Sequence, residues 1–172
     1  MADNAQKEPV GEALYGDADA KVTPWAETRA RLSVGGTHWL ATVRPDGRPH
    51  VVPVGVALLE NLLYFTTGQG TRKQQNLAHN AHCVITTTTP GYDLVVEGTA
   101  AQVREDGLLQ RVAAVYVAQG WPATVQDGAF AAPFSAPTTG PPPYDVYEIT
   151  PTVAFAFGTA EATVYYTTRY RF

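Results

Sequence analysis

Asp46-Gly47, Glu60-Asn61 and Pro90-Gly91 each stand next to runs of β-favouring residues. Turn signals this short send the chain straight back, so the flanking strands have to pair antiparallel. Residues 38–43 and 49–58 flank the first turn, 62–67 follows the second, and 83–89 and 93–103 flank the third. Segments 144–150 and 153–158 read as strands around Pro151, and the chain ends in a strand or arm that closes on Arg169-Tyr170-Arg171-Phe172. Six or seven strands joined in this way predict a closed antiparallel barrel, which removes exposed edges.

Helices punctuate the strands. Thr23-Pro24 is a cap residue followed by proline at a first helical position, and it predicts a helix to about residue 34, ended by Gly35-Gly36. Thr71 followed by Gln74 is a capping box that opens a short helix. Leu108, Leu109, Val112, Val115 and Tyr116 recur at helical spacing within residues 106–119. Residues 121–143 hold six of the 13 prolines and read as one long loop of the lid or binding type. Its Trp121, Phe130 and Phe134 either cover a pocket or pack on the barrel end. Residues 1–22 are polar and without period, which predicts a loosely ordered arm before a single domain over residues 23–172.

A net charge of −4 argues against a general nucleic-acid partner. The single cysteine, Cys83, excludes an internal disulfide and a cysteine-based zinc site, and fits a reducing cytosol. The first twenty residues have neither the charge nor the apolar stretch of a leader, and no apolar run reaches the length of a bilayer span. The expectation is a soluble, cytoplasmic protein with no membrane partner. His79, His82 and Cys83 straddle a helix end and a strand without a further ligand, so no metal site is assigned. HExxH, GxSxG, Walker and GxGxxG motifs are absent, and no carboxylate pair stands out. Catalytic residues stay unassigned, and the difficult chemistry would belong to a bound cofactor.

Arg72-Lys73 is the most informative pair. After a Thr71 cap they occupy the first two helical positions, where the peptide dipoles already place about half a positive charge. Two cations there are unfavourable unless an anion, with phosphate the natural candidate, joins them and the free N–H groups. Thr66 and Thr67 end the preceding strand and could add hydroxyls to the same anion, while simple β-propensity also explains them.

Residues 39–54, 63–80, 93–103 and the C-terminal TRYRF together resemble the pyridoxamine 5′-phosphate oxidase-like family of flavin- and deazaflavin-dependent oxidoreductases, in the FMN-binding split-barrel superfamily. The resemblance covers residues 23–172 and implies a mainly β fold: a six-stranded antiparallel split β-barrel of Greek-key type with a few flanking helices. It implies a homodimer with the cofactor, FMN or coenzyme F-420, in a groove between subunits. Arg72 and Lys73 would then hold the cofactor phosphate, Thr66 and Thr67 would assist, and Asn76 on the same helix joins the cofactor-binding set. His50, Val52 and Val54 would border the ring, and Arg169, Arg171 and Trp121 would serve the substrate or the C-terminal arm.

Two departures leave the substrate open. Arg169-Tyr170-Arg171 replaces the Arg-x-His of the vitamin B6 oxidases, and Gly158-Thr159-Ala160-Glu161 replaces a Gly-Lys-Gly common in the family. The expected function is hydride transfer to or from a small organic substrate. The rival is a non-catalytic flavin- or heme-binding split barrel, with His50, His79 or His82 as a heme ligand.

Overall fold

The structure, a computed structural model, describes residues 8–16, 20–34, 36–135, 139–159 and 166–172. Its first half runs β1 (Val10–Gly16), α1 (Trp25–Val34), β2 (His38–Val43), β3 (Pro49–Val54), β4 (Val56–Leu59), β5 (Leu62–Gly68) and α2 (Arg72–His79). The second runs β6 (His82–Thr89), β7 (Tyr92–Val103), α3 (Asp106–Ala118), β8 (Thr124–Gln126), β9 (Ala129–Ala131), β10 (Tyr144–Gly158) and β11 (Tyr166–Arg171).

The turns behave as their residues require. Gly47, Glu60, Asn61 and Gly91 all have positive φ, the geometry that matches the twist of a tight hairpin. The hairpins β2–β3, β4–β5 and β6–β7 are antiparallel. Ladders then join β2 to β6 and β7 to β10. β10 closes the ring because its Tyr144–Ile149 half also pairs with β5. β3 continues into β4 through Gly55, so counting these two as one bent strand gives the expected six-stranded antiparallel barrel.

The barrel is split on one side. β4 and β5 pair from Leu59↔Leu62 only as far as Val56↔Phe65, so β3 and the last residues of β5 part company. β3 has Pro49 and Pro53, which lack an N–H to donate, as suits a free edge. α2 follows β5 directly and packs on β2 and β5 beside this opening. Inside the barrel, Leu40, Phe65, Ile85, Leu94, Val96 and Ile149 are buried, with Trp25 and Leu32 of α1 in the same cluster. A second core forms outside it, where Leu109, Val112 and Tyr116 of α3 pack on Ala57, Tyr64, Tyr144 and Val146.

Three sequence expectations need correction. Residues 10–16 are not loose: β1 pairs antiparallel with β11, with Glu12 opposite Arg169. The 121–143 segment is not structureless, because β8 and β9 form a hairpin about Asp127 and Gly128, both at positive φ. The strands around Pro151 are one continuous β10, which accommodates the proline through an irregularity between Pro151 and Val153. Among the described residues no helix is long and apolar enough to cross a membrane.

Candidate functional site

The site is built where β5 hands over to α2. A Cβ on Gly68 would stand 2.0 Å from the Thr139 carbonyl oxygen, so only glycine lets that segment cross the end of β5. Thr71 caps α2 in extended geometry and accepts from Gln74 N. Its Oγ1 also lies 2.6 Å from Thr67 Oγ1, a bond that fixes the cap to the buried end of β5. The capping box is shifted by one residue: Gly70 N donates to Gln74 Oε1 at 2.6 Å. Gln74 Nε2 then donates to Asp145 Oδ2 at 2.6 Å, which anchors the helix start to β10.

Arg72 and Lys73 occupy the first turn of α2, which has no acidic residue. Arg72 is exposed, whereas Lys73 is only 2% exposed. Burial pulls the Lys73 ammonium below its ordinary pKa, because a charge leaving water loses solvation. The helix N-terminus works in the same direction.

Asn76 lies one turn after Lys73 and so shares its helix face. It is fully buried, and its Nδ2 donates to Thr42 Oγ1 at 2.9 Å. Thr42 stands opposite His50 in the β2–β3 register, and its Oγ1 is 3.5 Å from both His50 Nδ1 and the His50 carbonyl oxygen. The His50 pKa is lowered first by burial, then by the charges of Arg44, Lys73 and Arg72. The structure therefore gathers Arg72, Lys73, Asn76, Thr67 and His50. To these it adds Thr42 and Arg44, which sequence reasoning missed. The Asp46-Gly47 turn fixes the register that puts Thr42 opposite His50, so Thr42 was within reach of that reasoning.

The other predicted residues lie elsewhere. Adjacent strand residues point to opposite faces, so Thr66 faces away from the side that holds Thr67. Val52 and Val54 share the His50 face of β3 but pack into the barrel core. Arg169 is half-buried and salt-bridged to Glu12 at 2.6 Å. β10 holds β5 along one half and β11 along the other, so Arg169 and Arg171 lie at the far end from α2. Trp121 meets Tyr116 edge-on at 5.1 Å and tilts against Tyr144 at 5.5 Å, which makes it a packing residue of the second core. Among the described residues no three His, Cys, Asp or Glu side chains gather as a metal site would need.

The residues present fit a phosphorylated, hydroxyl-bearing group. Cations and helix N–H groups suit the phosphate, and the buried Asn76 Oδ1, which lacks a hydrogen-bond partner, suits a hydroxyl donor. Fold and site together define a split-barrel protein with a cation-bearing helix end at the mouth of the split. The family model for pyridoxamine 5′-phosphate oxidase matches residues 25–157, and the chain belongs to that family.

Solved structures agree on the fold. A conserved hypothetical protein of Mycobacterium tuberculosis superposes with a TM-score of 0.64 at 18% identity, covering 86% of this chain and 92% of that one. An F420 reductase gives 0.52 at 21% identity, over 73% and 94%. A heme binding protein from Mycobacterium smegmatis gives 0.58 at 17% identity, over 78% and 53%. No curated protein matches the chain.

Proposed function

We propose that this protein is a cytoplasmic oxidoreductase that seats the phosphate of FMN or coenzyme F-420 on the N-terminus of α2. Lys73 carries the reading: a lysine 2% exposed, on the first turn of a helix, with its charged form disfavoured by burial. A phosphate anion at that point offsets both penalties. The Arg72 and Lys73 side chains bind the phosphate, Thr67 holds the Thr71 cap in place, and Asn76 offers an acceptor to a hydroxyl. His50, its pKa lowered by burial and by the neighbouring cations, borders the cofactor. The bound cofactor supplies hydride chemistry to or from a small organic substrate.

The same reading includes a homodimer. The outward face of the β3-β2-β6-β7-β10 sheet presents Trp39, Val51 and Phe157, which are 45%, 54% and 38% exposed, and a cavity of about 340 Å³ lined by Ala41, Val84 and Thr99 among others. An apolar sheet face of this kind suits a second copy of the chain. Light scattering on Trp39→Glu tests it: a monomer is expected, and an unchanged dimer contradicts this face.

Absorbance and fluorescence titration of the purified protein with each cofactor tests the main reading, followed by reduction and a panel of small acceptors. Saturable binding and reoxidation by at least one acceptor are expected. Binding without turnover by any acceptor would favour the non-catalytic flavin-binding reading, and a Soret band on adding heme would favour the heme-binding reading, which the M. smegmatis neighbour suggests. His79 and His82 are exposed and His50 is half-buried, so His50 is the ligand to mutate in that case.

A further inference from the structure

Arg44 leaves β2 at its open end. Strand alternation puts it on the side of Leu40 and Thr42, the side that α2 reaches through Asn76 and Thr42. The turn occupies its backbone, since Arg44 N donates to Arg48 O at 2.9 Å and Arg44 O accepts from Gly47 N at 2.8 Å. Its half-buried side chain has an Nε that is out of water and has no hydrogen-bond partner. The acid of the same turn, Asp46, is committed to Arg48 through bonds of 3.1, 3.0 and 2.7 Å. Cations thus approach the His50 region from two sides, Arg72 and Lys73 from α2 and Arg44 from the turn. All three depress His50 by charge, after burial, and no acid is among the causes. A phosphomonoester dianion balances two positive charges and a phosphodiester only one, so in either case positive charge, together with the helix dipole, is left over.

We propose that Arg44 is a third anion-binding side chain of this site, and that the ligand held between the β2–β3 turn and α2 carries an anionic group beyond the phosphate on Arg72 and Lys73. The proposal rests on the phosphate seat argued above and chooses between its two cofactors. FMN ends in a phosphomonoester. Coenzyme F-420 continues from a phosphodiester into a carboxylate-bearing tail, and the third cation matches that second charge. Arginine suits a carboxylate partner because its planar fork gives two parallel donors.

The test is equilibrium binding of FMN, F-420 and the phosphate-free deazaflavin core to wild type, Arg44→Gln, Arg44→Lys and Lys73→Met. Arg44→Gln is expected to weaken F-420 about tenfold or more, the loss typical of a charge-assisted bond. It should weaken FMN no more than about threefold, the share of a screened nearby charge. Arg44→Lys should recover part of the F-420 affinity. The proposal is overturned if Arg44→Gln leaves F-420 binding at the wild-type level or weakens both cofactors alike. Lys73→Met separates it from the reading beneath: loss of both cofactors there, with none in Arg44→Gln, keeps the phosphate seat and removes Arg44. The converse pattern removes the seat and keeps Arg44.

A second readout needs no cofactor. Inorganic tripolyphosphate should raise the His50 imidazole pKa, followed by NMR, further than orthophosphate does in wild type, and no further in Arg44→Gln. Equal rises with the two anions in wild type overturn the proposal.

Discussion

Asn76 Nδ2 donates to Thr42 Oγ1 across 2.9 Å, and that bond joins the helix of the cation pair to the strand that faces His50. Both residues are buried. Thr42→Val therefore strands a buried amide donor, which costs about 1–3 kcal/mol. Removing both polar groups in Thr42→Val/Asn76→Leu should recover part of the loss. Urea unfolding of the two single variants and the double variant checks this, and strictly additive losses would contradict the coupling.

Lys73→Met should do two things. It removes a cation from the proposed phosphate seat, so binding of either cofactor weakens about tenfold or more, and it removes a group whose titration makes stability depend on pH. The pH dependence has a definite sign. Because the folded-state pKa of Lys73 lies below the unfolded value, the unfolded chain binds more protons between the two values. The wild type should then gain stability as pH rises through that alkaline window, and Lys73→Met should lose this gain. Thermal melts across the window, with and without cofactor, read out both effects.

His38 governs the acid side. It is 9% exposed, with Nε2 at 2.8 Å from the Leu32 carbonyl oxygen, and burial lowers its pKa below the ordinary 6.5. A base with a depressed folded-state pKa is protonated first in the unfolded chain. Its contribution is thus lost as pH falls below the ordinary histidine value. His38→Gln should flatten the fall in stability on acidification, measured by urea midpoints. A fall as steep as in wild type would assign the acid sensitivity to other groups.

Cys83 should be inert. It is 4% exposed and burial pushes its thiol up to about 12, so the reactive thiolate is scarce at neutral pH. Titration with a disulfide reagent should find almost no thiol in the folded protein and one in denaturant. Rapid reaction in the folded state would contradict the burial.

Much of the barrel was legible because turn residues are local. Asp46-Gly47, Glu60-Asn61 and Pro90-Gly91 set three hairpins with no help from distant contacts, and Thr71 with Gln74 marked the start of α2. β1 was not legible, since its order comes from pairing with a strand some 150 residues further on. The β8–β9 hairpin carries the same Asp-Gly signal as the first turn, but the surrounding prolines outweighed it. At the site, the dipole argument reached Arg72 and Lys73 from their position alone. The hairpin turn already placed Thr42 opposite His50, but its bond to Asn76 and the position of Arg44 near α2 arise only from the packing of α2 on β2. Thr66 was grouped with Thr67 by adjacency, where strand alternation places the two on opposite faces.

The most direct measurement is a crystal structure with FMN or F-420 bound. The account predicts the cofactor phosphate at the N-terminus of α2, within hydrogen-bond distance of the helix N–H groups and of Lys73 Nζ. A cofactor whose phosphate lies away from α2, with Lys73 still buried and untouched, would contradict it.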